Sequence, residues 1–202
     1  MHEVKRIFPI LLSFILTLSS PVFANDFFVA ETGAENIKMI ETANQYYETI
    51  PENVQSVIEN SGFSGYITSA DLNARHKSTL TPEQVVAVGS SSILGWTSFV
   101  NNKIFLSTSF QNIGIIALHE CGHAFDDALN FPSLSEAFLS VYNAEKANYN
   151  SFSFRSYTTE TISPIEYFAD AFEEYFINPI GLTTNAPMTY GFIGTLIQKA
   201  GN

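Results

Sequence analysis

The sequence predicts one α+β domain that contains both helices and a few short strands. Apolar residues recur at helical spacing early in the chain and again after residue 113. Between these segments, short runs rich in β-branched and aromatic residues predict strands. The 202 residues are 46% hydrophobic and 14% charged, which is typical of one globular domain.

The first 24 residues predict a secretory signal peptide. Lys5 and Arg6 precede an apolar run over residues 7–18, and Val22 and Ala24 fit the cleavage positions. The alternative is a membrane anchor, but the run is shorter than the roughly 20 residues that span a bilayer. We therefore expect a mature domain over residues 25–202 that is secreted, or periplasmic in a cell with an outer membrane.

The mature chain is strongly acidic. Removal of residues 1–24 leaves seven basic and nineteen acidic residues, a net charge of −12. Nucleic acid and anionic membrane surfaces repel such a chain, so neither is an expected partner. Cys121 is the only cysteine, so no internal disulfide can form and the fold depends on packing and on metal. We expect the mature protein to be a monomer.

The elements before residue 90 are short. Apolar residues at helical spacing predict a helix over residues 35–49, and Pro51 begins a second helix. Residues 65–68 predict a strand, and the polar segment 70–84 predicts mostly loop. The apolar run 85–88 predicts another short strand.

A β-hairpin is predicted next. Two β-rich runs, over residues 96–100 and 103–107, are joined by Asn101-Asn102. The second run leads almost directly into the helical segment 113–131. A strand beside that helix is where a substrate backbone could pair by strand addition. The alternative is an ordinary structural hairpin, and the sequence does not separate the two.

The helical segments after residue 131 carry clear start signals. Residues 133–136 have the S-x-x-E form of a capping box that opens a helix. Residues 148–162 are polar and predict an ordered loop. Residues 163–166 open the next helix, with proline at the first helical position, and Asn178-Pro179 ends it. A final helix is predicted over residues 187–199.

One motif indicates a metal-binding site, the H-E-x-x-H sequence His119-Glu-Cys-Gly-His123. On a helix, residues four apart lie on one face, so both imidazoles can reach a single metal ion. Glu120 lies about 100° round from His119, within reach of a metal-bound water. Cys121 lies about 200° round from His119, so it is expected to be a small buried residue rather than a ligand. The alternative for the histidines is an amphipathic helix with two surface imidazoles.

A catalytic zinc site needs a third protein ligand and keeps one position for water. The pattern HExxHxxGxxH is excluded, because Asp126 and Leu129 stand at its last two positions. Of the other two histidines, His2 leaves with the signal peptide and His76 lies in a polar segment. A carboxylate from a later helix is therefore expected.

Glu166 and Asp170 are the candidates for that carboxylate. They are one turn apart on a helix that is otherwise aromatic, where unpaired carboxylates are costly to bury. We expect Glu166 to be the third ligand. Asp170 is then expected to accept the other N–H of a ligand histidine. The alternative is that Glu166 only caps its helix, in which case Asp170 would be the ligand.

Two longer motifs carry a family resemblance. His119-Glu-Cys-Gly-His-Ala-Phe-Asp-Asp127 is followed by Glu166-Tyr-Phe-Ala-Asp-Ala-Phe172. Together they resemble the catalytic domain of the anthrax lethal factor-like zinc peptidases, a group that includes the Pro-Pro endopeptidases. The similarity extends from about residue 36 to the C-terminus. The resemblance implies a zincin-like α+β fold, with a small mixed sheet packed on helices. In this fold an HExxH helix precedes a glutamate helix.

The resemblance also implies an activity, which is that of a zinc endopeptidase of the gluzincin type. His119, His123 and Glu166 would hold one Zn²⁺, and Glu120 would be the general base. The family carries a tyrosine shortly before the glutamate helix, and Tyr157 is similar in context. Tyr157 lies nine residues before Glu166, whereas the family has a spacing of seven. Two alternatives therefore stay open. Tyr157 has a role in the core, or Tyr149 or Tyr167 is the tyrosine of the site.

The predicted mechanism follows from these parts. Zinc acidifies its bound water and polarises the scissile carbonyl of a protein or peptide substrate. Glu120 takes the proton and passes it to the leaving amine, and Tyr157 donates to the developing oxyanion. The main alternative is an inactive secreted binding or toxin-like module with the same fold, although an intact Glu120 opposes it. A zinc hydrolase of a non-peptide substrate is a third possibility.

Overall fold

The computed structural model describes residues 26–34, 36–77, 93–109, 112–153 and 162–200. The predicted signal peptide, the predicted strand at 85–88 and Tyr157 lie outside these residues. Among the described residues, no helix is both long and apolar enough to cross a bilayer.

A four-stranded mixed sheet forms one side of the domain. Its strands are β1 (Phe28–Ala30), β2 (Ser64–Thr68), β3 (Gly95–Ser98) and β4 (Lys103–Ser107), in the order β1-β2-β4-β3. β1 and β4 both pair with β2 in parallel, and β3 pairs with β4 antiparallel. The β3–β4 pair is the predicted hairpin, and β3 is the edge strand among the residues that the structure describes. The three residues of β1 were not predicted, because so short a strand shows no alternation.

Three short helices accompany the first two strands: α1 (Ile37–Tyr47), α2 (Glu52–Asn60) and α3 (Leu72–Lys77). The first two confirm the predicted helices. The prediction of mostly loop over residues 70–84 is wrong for α3. The Asp71 carboxylate caps this helix by accepting from the backbone N–H groups of Asn73 and Ala74, at 2.9 and 3.3 Å. Six residues are too few to show a helical period.

The helix α4 (Ile113–Ala128) lies at the centre of the domain, in contact with α1, α2, β3, β4 and a later helix. It is buried on nearly every side from Ile113 to Asp126. It ends where Asn130 and Phe131 take positive φ angles of 61° and 56°, and the Phe131 N–H donates to the Asp126 carbonyl at 2.7 Å. Cys121 is fully buried in the core, and burial raises the pKa of its thiol.

The C-terminal part is helical. It contains a 3₁₀ turn (Pro132–Leu134), α5 (Glu136–Glu145), a second 3₁₀ segment (Lys146–Ser151), α6 (Pro164–Ile177), α7 (Pro179–Asn185) and α8 (Pro187–Lys199). The α5 cap is Ser135, not the predicted Ser133, since Ser135 Oγ accepts from the Phe138 N–H at 3.2 Å. Ser133 instead donates to Asp126 through both its backbone N–H and its hydroxyl. Pro179 both follows α6 and begins α7, a helix that was not predicted.

The predicted fold class is confirmed. Helix α6 packs along α4 on the side away from the sheet, so α4 lies between the sheet and α6. The two helices approach closely at Gly122, since a Cβ there would lie 2.9 Å from the Ala169 Cα. The histidine motif on α4 and the acidic motif on α6 are therefore held side by side.

Candidate metal centre

The two histidines of the motif converge on one point. His119 and His123 are 5% and 7% exposed, and their Nε2 atoms lie 3.1 Å apart. They are four residues apart on α4, so both rings leave the same face of the helix toward α6. This arrangement is the one expected from the spacing, and it excludes the alternative of two surface imidazoles.

The Glu166 carboxylate completes a cluster of three groups that could hold a metal ion. Its Oε2 lies 3.4 Å from His119 Nε2, and its Oε1 lies 3.5 Å from His123 Nε2. Two ligand atoms that each lie about 2.0–2.1 Å from a tetrahedral zinc are separated by about 3.3 Å. The three separations of 3.1 to 3.5 Å therefore fit a zinc-sized ion held by two nitrogens and a carboxylate. The 40% exposure of the Glu166 side chain leaves the cluster open on one side.

The electrostatics of Glu166 agree with a ligand role. Partial burial would raise its pKa, but the adjacent imidazoles of His123 and His119 outweigh that effect and hold the pKa well below the ordinary value of 4.5. The carboxylate is therefore ionised at neutral pH, as a metal ligand must be.

The capping alternative for Glu166 is compatible with a ligand role. Ser163 Oγ accepts from the Glu166 backbone N–H at 3.2 Å, so Ser163 caps α6. The Glu166 side chain, however, reaches the two imidazoles. The backbone N–H of Glu166 therefore takes part in the helix cap, while its carboxylate lies in the cluster.

Asp170 lies on the other side of the His119 ring. Its Oδ1 is 2.7 Å from His119 Nδ1, and its side chain is 1% exposed. Tyr149, which is fully buried, donates a short hydrogen bond from its hydroxyl to Asp170 Oδ2. The face of α6 that meets His119 carries three acidic residues in succession, Glu166, Asp170 and Glu173. The Oε2 atom of Glu173 is 4.0 Å from His119 Nδ1. Asp170 therefore sits where an orienting carboxylate is expected.

Glu120 is buried beside the cluster on the sheet side of α4. It is 5% exposed, and its Oε2 accepts a hydrogen bond from the Thr97 hydroxyl of β3 at 2.7 Å. Neither Thr97 nor Gly95 was predicted, because the importance of both residues depends on β3 crossing α4 at this point. No local pattern in the sequence reports that contact.

The far side of the His123 ring is apolar. Phe99, in the β3–β4 turn, meets the ring edge-on at 6.4 Å between centroids, and Phe131 meets Phe99 in the same way at 5.4 Å. His123 Nδ1 is buried and has no hydrogen-bond partner within the described part of the chain. The two histidines are thus held differently: His119 by a carboxylate and His123 by packing.

The alternatives to Tyr157 are not supported. Tyr149 and Tyr167 are both fully buried. The Tyr149 hydroxyl binds Asp170, and the Tyr167 hydroxyl pairs with Thr189 Oγ1 at 3.0 Å. Both phenols are held in the core by these partners. Tyr157 itself lies outside the described residues.

The comparison with known families identifies the chain. The family model described as "Anthrax toxin lethal factor, N- and C-terminal domain" matches residues 27–196. The chain belongs to this lethal factor-like family. The resemblance inferred from the two motifs is thereby confirmed.

A solved structure supports the fold of this lethal factor-like chain. The Pro-Pro endopeptidase PPEP-2 from Paenibacillus alvei superposes with a TM-score of 0.64 at 20% sequence identity. The match covers 84% of this chain and 97% of PPEP-2, so the zincin-like fold spans nearly the whole neighbour. No curated protein matches the sequence.

Proposed function

We propose that this chain is a secreted zinc-dependent endopeptidase. The observation that carries the proposal is the convergence of His119 Nε2, His123 Nε2 and the Glu166 carboxylate within 3.5 Å of one another. Membership of the lethal factor-like family supports it. So does the fold shared with a solved enzyme whose name is Pro-Pro endopeptidase.

His119, His123 and Glu166 would hold one zinc ion, which is the gluzincin ligand set. When bound, zinc supplies Lewis acidity toward a peptide carbonyl and a water molecule. The donor set of two neutral imidazoles and one carboxylate is typical of catalytic rather than structural zinc, because three protein ligands leave a position open. Asp170 would orient the His119 ring and fix its Nδ1 proton.

Glu120 would be the general base and then the general acid. Its carboxylate takes one proton from the attacking water as the new C–O bond forms at the scissile carbonyl. The same proton then goes to the peptide nitrogen as the C–N bond breaks, so Glu120 returns to its starting state. Tyr157 is proposed to donate a hydrogen bond to the oxyanion, a contribution of about 3 kcal/mol if it resembles other such donors.

The proposed substrate is a protein or peptide that reaches the open side of the cluster. Within the described ranges, β3 pairs only with β4, so its other edge is where an extended substrate chain would add as a strand. Because the solved neighbour is named a Pro-Pro endopeptidase, Pro-Pro bonds are the first specificity to test. We propose that the protein acts as a monomer without nucleic-acid or membrane partners.

Peptide-library profiling of the mature protein tests the proposal. Residues 25–202 are produced, their zinc content is measured, and cleavage products are identified with and without a zinc chelator. Glu120→Gln is the matched control, since it keeps the size of the side chain and the three zinc ligands. We expect wild type to cleave, the chelator to abolish cleavage, and Glu120→Gln to bind zinc at full stoichiometry without cleaving. A zinc-loaded wild type that cuts no peptide would favour the inactive binding module instead.

Secretion is tested separately. We propose that residues 1–24 are a signal peptide and that residues 25–202 form a single catalytic domain. N-terminal sequencing of the protein released from its native host is expected to begin at Asn25. If the protein is found in the membrane fraction with residues 1–24 still attached, these residues are a membrane anchor and not a signal peptide.

A further inference from the structure

Two residues of the edge strand enclose the Glu120 side chain. Gly95 and Thr97 are two positions apart on β3, so they face the same side of the strand, toward α4. Trp96 points to the opposite side, where its ring packs on Phe105 at 5.5 Å. Gly95 and Thr97 are therefore the β3 residues that meet Glu120.

Thr97 holds one carboxylate oxygen. Its side chain is buried, and its Oγ1 lies 2.7 Å from Glu120 Oε2 and 3.1 Å from the Glu120 carbonyl oxygen. A hydroxyl has a single proton, and the shorter contact to the charged oxygen is the stronger of the two. The hydrogen bond therefore orients the carboxylate through Oε2, and Oε1 takes no part in the contact with Thr97.

Gly95 makes room for that carboxylate. A Cβ at this position would lie 2.6 Å from Glu120 Oε1, 2.8 Å from Glu120 Cγ and 2.5 Å from Ile116 Cγ2. These separations are well inside van der Waals contact, so any side chain at residue 95 would displace Glu120. Gly95 is not among the glycines with positive φ. The requirement for glycine is therefore one of space and not of backbone conformation.

We propose that Gly95 and Thr97 are positioning residues that hold the Glu120 carboxylate in one orientation for proton transfer through Oε1. This inference rests on the proposed function of Glu120 as general base. A free glutamate side chain samples many rotamers, and only a few place a carboxylate oxygen where a proton can pass. A displacement of about 1 Å at a catalytic group is enough to cost about 100-fold in rate. Edge strand β3 thus orients the Glu120 carboxylate, in addition to any pairing with the substrate.

The contact is tested first without zinc and without substrate. A double-mutant cycle combines Thr97→Val with Glu120→Ala in the metal-free protein, and the melting temperature of each variant is measured. Thr97→Val keeps the shape of the side chain and removes the hydroxyl. If the hydrogen bond to the carboxylate exists in solution, Thr97→Val lowers the melting temperature more in wild type than in the Glu120→Ala background. Equal losses in both backgrounds would overturn the proposal.

The catalytic consequence is tested in the zinc-loaded enzyme. We expect Thr97→Val to lower kcat about 10- to 100-fold, with KM within about twofold and zinc stoichiometry unchanged. Thr97→Ser keeps the hydroxyl and is expected to restore most of kcat. Gly95→Ala should also lower kcat with zinc retained. Thr68→Val is the matched control, because Thr68 is a buried sheet threonine whose hydroxyl accepts from the Ala70 N–H.

The outcomes separate this proposal from the proposed function. If wild type cleaves and Thr97→Val keeps its full kcat, the positioning role is wrong while the endopeptidase stands. If Thr68→Val loses as much kcat as Thr97→Val, the loss is structural and the positioning role is again wrong. If zinc-loaded wild type cleaves nothing, the proposed function fails and the catalytic role of Gly95 and Thr97 fails with it. In that case the melting-temperature cycle still decides whether Thr97 holds Glu120.

Discussion

The Nδ1 atom of His119 lies 2.7 Å from Oδ1 of Asp170, a carboxylate that is 1% exposed. This contact fixes the plane of the His119 ring, so that its Nε2 faces His123 and Glu166 on the opposite side. Asp170 is held in turn by the Tyr149 hydroxyl, and Ser153 Oγ donates to Tyr149 at 3.0 Å. The cluster is therefore supported by a chain of buried hydrogen bonds that leads from α4 through α6 to the 3₁₀ segment.

Replacement of Asp170 by asparagine should weaken zinc binding. The amide keeps the size of the side chain and removes the charge that favours an Nδ1 proton on His119. Such partners of ligand histidines typically contribute about 10- to 100-fold in metal affinity or activity. Competition with a chromogenic chelator measures the change. Asp127→Asn on α4, the helix that carries His119, is the control. An equal loss there would contradict a specific role of Asp170.

Tyr149→Phe should have a smaller effect of the same kind. It removes the hydroxyl that donates to Asp170 and leaves the packing of the ring. We expect about a 3- to 10-fold loss of zinc affinity and a stability loss of about 1–3 kcal/mol, because Asp170 is left with one fewer donor in a buried place. The control is Tyr47→Phe, whose hydroxyl donates to Glu59 at 3.0 Å on α2. That variant should leave the zinc affinity unchanged.

Gly122→Ala should separate the two helices that carry the cluster. An added Cβ would lie 2.9 Å from the Ala169 Cα and 3.1 Å from the Ala169 carbonyl oxygen. Because these atoms belong to backbone, α6 must move away from α4 and take Glu166 with it. We expect a loss of about 1–3 kcal/mol in the free energy of unfolding and weaker zinc binding. Denaturant titration and chelator competition measure the two effects.

Gly191→Ala is the matched control for that variant. Gly191 lies within α8, and a Cβ there would have no neighbour within 4 Å. Alanine at an open helical position stabilises by about 0.5–1 kcal/mol. A result in which both variants gain stability would show that α4 and α6 have room at Gly122.

The pair formed by Glu31 and Arg75 predicts a pH dependence of stability. The Nη1 and Nη2 atoms of Arg75 each donate to one oxygen of the Glu31 carboxylate at 3.1 Å, which connects the end of β1 to α3. Burial tends to raise the pKa of Glu31, but the hydrogen bonds and charge of Arg75 outweigh it, so the pKa is lowered from 4.5. Because the pKa of Glu31 is lowered in the folded state, the pair's contribution to stability is fully present above the unfolded-state pKa. This contribution is lost as the pH falls through the folded-state pKa.

Glu31→Gln tests this expectation. The variant should be less stable than wild type at pH 7 by about 0.5–1 kcal/mol, since the pair is partly exposed. The difference should shrink as the pH falls below about 4.5, where wild type also loses the ionised carboxylate. Urea unfolding at several pH values measures it. A difference that stays constant from pH 7 down to pH 3.5 would contradict the assigned role of the charge.

The sequence by itself determined those features that arise within one element. Helical spacing alone put His119 and His123 on one face of α4, because residues four apart always share a face. Two β-rich runs and the Asn101-Asn102 connection between them predicted the β3–β4 hairpin, because a hairpin is also local in the chain. The position of Cys121 in the helix also predicted its burial in the core.

Only the tertiary structure decided the features that join elements. The sequence left open whether Glu166 caps α6 or faces the histidines, because both roles suit a first-turn glutamate. The close approach of α4 and α6 at Gly122 brings its carboxylate to the two imidazoles. The contact of Thr97 with Glu120 and of Tyr149 with Asp170 joins residues 23 and 21 positions apart. Such pairs follow from packing geometry, which no periodicity in the chain reports.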